Sequence, residues 1–382
     1  MIIERIKTYT KRFLMMVSYL INGVENKAVF ESFSGQSYSD NPRVISELLH
    51  TLSPEIEIVW LFKNPEEKRK VVPPYVRVEK RCTKNMIKEY STAKIWVNNF
   101  CVQEFMYKGK NQTYIQTWHG DRPFKKVIYE SNKLNFRKNE VRENKICDLC
   151  VAGSEIGVQV YRKAFLYQGK ILNVGTPRAD VLVNGDSDRV KYIRKKLGIP
   201  HDSKILLYAP TFRDNKGLNS SQKMDILNFE RVISELQLKD NCSWYCLIRV
   251  HPSLNIKDIN LDDSKILNLS NYEDMADLML ISDMLITDYS SSAGDFILRN
   301  KPVILYQYDL SEYEKEDREL HFKMEDTPFW SVQTEEDLID LIKQINNDMV
   351  EENCRAIKEF YKTNETGKSA YEVCRFILDK TS

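Results

Sequence analysis

Two of the five histidines in this chain of 382 residues close apolar, strand-like runs: His119 in TYIQTWHGDRPFKKV and His251 in WYCLIRVHP. An imidazole titrates near neutral pH, so at a strand end it is suited to take a proton from an attacking hydroxyl. Gly120, Asp121, Arg122 and Lys125 follow His119, and the cations among them can hold a phosphorylated partner. A third stretch, MLITDYSSSAGDF, ends its apolar run at Asp288 and spends Ser290, Ser291 and Ser292 before a helical pattern resumes. Serine is a poor helix interior but a good helix beginning, and free N–H groups, hydroxyls and the positive end of a helix dipole together suit a phosphate or diphosphate. A fourth, YAPTFRD, places Arg213 after a strand, where a guanidinium can grip a phosphate with two parallel bonds. Each feature also has a plain structural reading: a satisfied core histidine, a well-furnished N-cap, a surface ion pair. Two strand-end imidazoles facing one cleft would suit proton removal on one side and stabilisation of phosphate charge on the other.

The surrounding pattern says what must position them. Short β-rich runs at 27–33, 55–62, 76–80, 94–99, 113–118, 147–152 and 170–175 alternate with helical stretches such as 41–52 and 154–167. A polar stretch at 184–203 follows, and a second series begins, with strands at 204–212, 243–250, 265–270, 284–290 and 301–308 and helices near 225–238, 273–281, 291–299 and 334–346. Alternation of this kind predicts parallel sheets covered on both faces, hence two doubly wound α/β lobes with a cleft between them. Ligands gather beyond the carboxyl ends of strands in such sheets, where the unusual residues lie. The loops SFSGQSYSDNPR (32–43) and VGTPRAD (174–180) read only as turn chemistry.

Composition narrows the classes. Lys plus Arg is 56 against 55 for Asp plus Glu, a net charge of +1 that gives no argument for nucleic acid. A locally basic run from Tyr107 to Lys145 is either a solvated face or a meeting place for phosphates or anionic lipid. Eight cysteines scattered through apolar runs, with no secretory cleavage signal, predict free thiols in a reducing cytoplasm rather than disulfides or zinc knuckles. No G-x-x-x-x-G-K-[ST] occurs, which removes a P-loop nucleotide hydrolase. The Asp186-Ser187-Asp188 triplet lacks a preceding strand and reads as solvated linker, so no protein-held metal is expected, although magnesium can arrive with a nucleotide. The first 25 residues, mixing Arg5, Lys7, Lys11 and Arg12 with Ile3, Ile6, Phe13 and Leu20, form a helix that either packs on a core or lies in a membrane plane.

Taken in order, QTWHG, GTPRAD, YAPTFRD, RVHP and ITDYSS followed by DF and NKP, with an F-x-G-x-x-Y-x-DNP pattern from Phe33 to Pro42, resemble the CDP-glycerol glycerophosphotransferase family of teichoic-acid and capsule synthesis. The resemblance runs from about Ala28 to Tyr313. It implies a GT-B-like fold, with an acceptor-binding lobe at 26–190 and a CDP-polyol donor lobe at 191–350; the helical pattern of 351–382 is compatible with C-terminal helices packing back across the first lobe. It makes His119 the general base and sets His251 near the donor phosphates. Ser290, Ser291, Ser292, Asp288 and Arg213 become donor contacts, and Gly120, Asp121, Arg122 and Lys125 acceptor-side candidates. It implies a peripheral protein on the anionic cytoplasmic face of the bacterial membrane. There a glycerol or ribitol phosphate would pass from CDP-glycerol or CDP-ribitol to a lipid-linked saccharide or polyol-phosphate acceptor, with release of CMP. Many members read HGTPLK where this chain reads HGDRPFK, so Asp121 and Arg122 bring a charge pair beside the base. Transfer of a sugar from a nucleotide sugar, or a catalytically silent role in envelope assembly, are the alternatives. Polyol identity, the number of units added, the acceptor and the oligomeric state are not written in the chain.

Overall fold

A computed structural model describes residues 2–131, 143–211, 227–250, 264–316 and 319–381. His251 and Arg213 lie outside these residues. The chain divides into two compact units, the first comprising 1–121, 127–180 and 364–382 and the second 122–126 and 181–363.

In the first unit, β1 (Glu25–Glu31), β2 (Glu57–Phe62), β3 (Arg77–Lys80), β4 (Ala93–Asn98), β5 (Thr113–Gln116), β6 (Leu149–Ala152) and β7 (Lys170–Asn173) form one sheet in the order β3-β2-β1-β4-β5-β6-β7. Every pairing is parallel. Side chains of alternate residues serve opposite faces, as the two-residue period of a strand requires. Ala28, Phe30, Trp60 and Val97 meet Ile45 and Leu49 of the helix Asp40–Leu52 and Val373 and Ile377 of the helix Ser369–Thr381. Val29, Leu61, Trp96 and Tyr114 meet Met86, Tyr90 and Met15, the last from the helix Ile2–Asn22.

The second unit repeats the plan with β8 (Lys204–Tyr208), β9 (Trp244–Ile248), β10 (Ile266–Asn268), β11 (Met284–Thr287), β12 (Val303–Tyr306) and β13 (Trp330–Val332), ordered β10-β9-β8-β11-β12-β13 and again parallel throughout. Strands buried on both faces read as continuous apolar runs, which is why VILY of β12 is buried along its whole length. In both sheets the strand order reverses beside the first strand of the series. The crevice at such a reversal, between β1 and β4 and between β8 and β11, is where open α/β sheets bind ligands.

Four details differ from the pattern-based expectation. The three-residue β13 is too short to show a period and was not anticipated. The helix expected over 291–299 is a five-residue α-helix, Ser292–Phe296, continued by a 3-10 turn to Arg299 and stopped by Asn300 in the left-handed region. The stretch read as a solvated joint contains the helix Ser187–Leu197, capped by Asp186, whose carboxylate accepts from Arg189 N at 2.9 Å, and closed by Gly198 at φ +70°. The middle segment of the first unit ends at Asp180 rather than at 190, and the Asp180 carboxylate accepts from the N–H groups of Ser369 and Ala370 at 2.9 and 2.8 Å, tying that turn to the C-terminal helix.

Candidate active-site loops

His119 is half-buried, one residue past a backbone kink at Trp118. Its Nδ1 lies 2.7 Å from the carbonyl oxygen of Asn99, the residue that follows β4. A carbonyl only accepts, so Nδ1 carries a proton and donates it to Asn99. The ring is walled by Trp118, Phe33 and Phe100, with centroids 4.0, 5.4 and 5.5 Å away and Phe100 nearly parallel at 11°. Asn99 is fully buried and fully used: its Oδ1 accepts from Phe33 N at 2.8 Å and its Nδ2 donates to Ser32 Oγ at 3.0 Å. Loops after β1, β4 and β5 are thereby bonded around one imidazole.

Backbone strain gathers at the same place. Phe33, Ser34, Asp40 and Trp118 have φ of +46, +55, +64 and +49°. Each such conformation costs a residue with a side chain about 1–3 kcal/mol and persists only where its surroundings over-determine it. Around Trp118 the determinants are visible: its N–H donates to Gln116 Oε1 at 2.8 Å and its carbonyl accepts from Asn41 Nδ2 at 3.0 Å.

The residues after His119 part company. Gly120 is buried, and Asp121, 6% exposed, accepts from Gly153 N at 2.8 Å within the first unit. Gly157 is obligatory there, since a Cβ at that position would fall 1.9 Å from Asp121 Oδ1. Arg122 and Lys125, expected on the acceptor side with the base, belong instead to the second unit, as does the whole segment 122–126. Arg122 is completely buried and donates to Asp295 Oδ1 at 2.6 Å. Lys126 N donates to Glu319 O and Phe124 O accepts from His321 N at 2.8 and 2.7 Å, while Phe124 packs on Phe329. Lys125 Nζ lies 5.6 Å from the centroid of Tyr313. The Asp121–Arg122 departure thus puts a buried carboxylate on the backbone of Gly153 in the first unit and a buried ion pair with Asp295 in the second.

In the second unit the loops after β8 and β11 are clipped together. Asp288, 1% exposed, accepts from Thr211 N at 2.9 Å, Thr211 Oγ1 at 2.9 Å and Tyr289 N at 2.6 Å. Expected as a donor contact, this carboxylate is spent on fixing the turn. Tyr289 is buried, stacks on Tyr313 at 3.7 Å and donates to Asp309 Oδ1 at 3.2 Å. Above this base Ser290, Ser291 and Ser292 are half-exposed. Ser290 Oγ accepts from Ser292 N at 3.2 Å and lies 2.8 Å from Ser292 Oγ, while Ser291 at the N-cap makes no capping bond with its side chain. The five-residue helix behind them supplies little dipole, so hydroxyls and backbone N–H groups are what this turn offers an anion. Close helix packing is enforced at Gly294, where a Cβ would come within 2.7 Å of Arg122 Cβ.

Among the described residues, then, His119, Gly120 and Asp121 sit together in the first unit, and Arg122, Lys125, Asp288 and Ser290–Ser292 in the second. His251 and Arg213 lie outside the described residues. Sequence reasoning missed Asn41, Asn99, Phe100 and Gln116. Two of them carried a signal: Asn41 is the asparagine of the DNP pattern, and the two asparagines ending the apolar run KIWVNN would be costly in a buried strand end unless both were bonded.

The family model described as CDP-Glycerol:Poly(glycerophosphate) glycerophosphotransferase matches residues 13–379. The teichoic acid glycerol-phosphate transferase of Staphylococcus aureus is 32% identical over 400 aligned positions, covering 99% of this chain and 100% of that protein. The teichoic acid poly(glycerol phosphate) polymerase of Staphylococcus epidermidis is 34% identical over 313 positions, 78% of this chain, and the chain spans 43% of that longer protein. A solved structure of the wall teichoic acid polymerase TagF superposes with a TM-score of 0.83 at 30% identity, covering 99% of this chain and 95% of that one, which makes the fold GT-B-like. With a family model that runs through both sets of loops, the chain belongs to the CDP-glycerol:poly(glycerophosphate) glycerophosphotransferase family.

Proposed function

We propose that the chain transfers glycerol phosphate from CDP-glycerol to a hydroxyl of a polyol-phosphate acceptor and releases CMP. The observation that carries this reading is the family match over 13–379, which includes the loop bearing His119 and the turn bearing Ser290–Ser292. In the proposed reaction His119 Nε2 takes the proton of the acceptor hydroxyl as its oxygen attacks the glycerol-bearing phosphorus. The bond from that phosphorus to the bridging oxygen breaks, CMP leaves with the electron pair, and the histidine returns its proton to solvent. The bond from Nδ1 to Asn99 supports this role, because a proton held at Nδ1 gives Nε2 the accepting part in the neutral ring. Ser290, Ser291 and Ser292 hold the diphosphate, with Arg213 and His251 assigned to the same phosphates by their place in the family pattern. The reading uses no protein-held metal; a chelator titration of the assay tests that part.

Purified protein given CDP-glycerol, CDP-ribitol or nucleotide sugars with a glycerol-phosphate oligomer tests the whole. CMP release with CDP-glycerol and growth of the oligomer by glycerol-phosphate units is the expected result. Release of UDP or GDP from a sugar donor would replace the reading with sugar transfer.

The helix Ile2–Asn22 is assigned to an anionic membrane surface. No helix among the described residues is long and apolar enough to cross a membrane. Met15 is fully buried, yet Ile3, Ile6, Phe13, Leu20 and Ile21 are each more than half exposed beside Arg5, Lys7, Lys11 and Arg12. Apolar side chains flanked by cations suit the boundary of headgroups and acyl chains. Co-sedimentation with vesicles containing anionic lipid, lost in Ile6→Glu/Phe13→Glu and absent with zwitterionic vesicles, is expected. Binding that survives the double substitution would remove this helix from the interaction.

A further inference from the structure

Asn41, the asparagine of the DNP pattern, is a side chain to which the proposed reaction gives no role. It lies in the first turn of the helix Asp40–Leu52, is completely buried, and uses its amide on both sides. Its Nδ2 donates to the carbonyls of Thr117 and Trp118 at 3.3 and 3.0 Å, and its Oδ1 accepts from Arg178 N at 3.0 Å. Asp40, its neighbour, pairs with Arg178 Nη1 at 3.4 Å and accepts from Asn41 N at 2.7 Å. Three strand-end loops, after β1, β5 and β7, are therefore fastened to one amide.

The carbonyl of Trp118 belongs to the peptide unit that carries the nitrogen of His119. Holding it fixes the left-handed φ of +49° at Trp118, and that kink aims the imidazole so that Nδ1 meets the carbonyl of Asn99. We infer that Asn41 is a positioning residue for the base: through Trp118 it holds the imidazole where Nδ1–H donates to Asn99, which fixes the ring's orientation and tautomer. Without the amide, Trp118 relaxes toward negative φ, the ring swings off Asn99, and either nitrogen can carry the proton. The donor-holding turn is in the other unit and makes no use of this amide, so the effect falls on turnover and spares donor affinity.

This inference rests on the reading of His119 as the base, and the two can fail separately. Asn41→Asp preserves shape and the bond to Arg178 N but sets an oxygen against the Thr117 and Trp118 carbonyls; Asn41→Ala removes the amide altogether. Both are expected to lower kcat about 10- to 100-fold, the usual cost of losing a group that orients a reacting one, with KM for CDP-glycerol within about twofold. Nitrogen-15 NMR of imidazole-labelled protein, with the His119 signals identified by their loss in His119→Gln, should read Nδ1–H in the native chain and a tautomer mixture in both variants. A native Nε2–H tautomer overturns the proposal, and decides it even for variants that do not accumulate. Unchanged kcat in folded variants overturns it as well, as does a lower kcat with the native tautomer retained. His119→Gln with normal CMP release sinks the base reading itself, whereas an inactive His119→Gln beside fully active Asn41 variants sinks only the role of Asn41.

Discussion

The loop of His119 and the turn of Ser290–Ser292 solve opposite problems. Among the described residues around His119, Asn99, Asn41 and Gln116 each bond backbone of an adjoining loop, and Phe33, Phe100 and Trp118 close the walls. In the serine turn only the floor is committed, through Asp288 to Thr211 and Tyr289 to Asp309, and the hydroxyls bond to one another. The proposed roles account for the difference: a base needs one orientation and one tautomer before the substrate arrives, so its shell would be filled in advance. A phosphate site needs donors that can be given up by one partner and taken by another, and a pair of hydroxyls does that at little cost. Arg122 ties the two descriptions together along the chain: three residues after the base, it is buried on Asp295, just past the serine turn.

The contrast can be broken most forcefully at its first member. His119→Gln should lower kcat by about two to four orders of magnitude with donor KM nearly unchanged, in a steady-state assay of CMP release. A variant that kept kcat and lost only donor affinity would move His119 to the donor side. Next in size is Arg122→Met, which strands the carboxylate of Asp295 and should destabilise the second unit by about 3–5 kcal/mol, read from denaturant midpoints. Replacing both partners, Arg122→Met with Asp295→Leu, should recover most of that loss; no recovery would mean that the pair does more than satisfy burial. Ser290→Ala with Ser292→Ala should raise KM for CDP-glycerol about tenfold, the worth of one or two hydrogen bonds to a charged group, and leave kcat within a few-fold. A fall in kcat alone would show that the turn acts on the transition state.

The smallest effect concerns the far edge of the first sheet, where Lys27 and Arg77 both bond Glu89 at 2.8 Å. Burial alone would raise the Glu89 carboxyl, but the hydrogen bonds from Arg77 and Lys27 outweigh it and hold the group below its ordinary value of 4.5. A carboxyl depressed by folding stabilises the fold fully above that unfolded value, and the contribution fades as pH falls through the folded one. Melting temperature should therefore drop by a few degrees on acidification below about 4.5, and Glu89→Gln should flatten that slope. An unchanged slope would show that other carboxyls dominate acid unfolding.

Much of this was legible before any coordinates. Runs such as EIVWLF and VILY are apolar because their strands are covered on both faces, so both sheets could be read off the chain. His119 and the serines were conspicuous because polar chemistry at a strand end has few structural excuses. The bonds of Asp288 to Thr211 were not legible, because an aspartate after a strand looks the same whether it faces a ligand or a neighbouring backbone. Arg122 and Lys125 were grouped with His119 by proximity along the chain, although the fold takes the five residues 122–126 into the other unit and returns.

The amino-acid order alone determined two doubly wound sheets and put the reactive residues at their carboxyl ends, because periodicity and burial are local properties of a strand. Only the tertiary structure decided which nitrogen of His119 donates to Asn99, which turn Asp288 braces and where Arg122 is neutralised. Those answers depend on partners 20, 77 and 173 residues away, and a hydrogen-bonding side chain carries no mark of the distant group that will satisfy it.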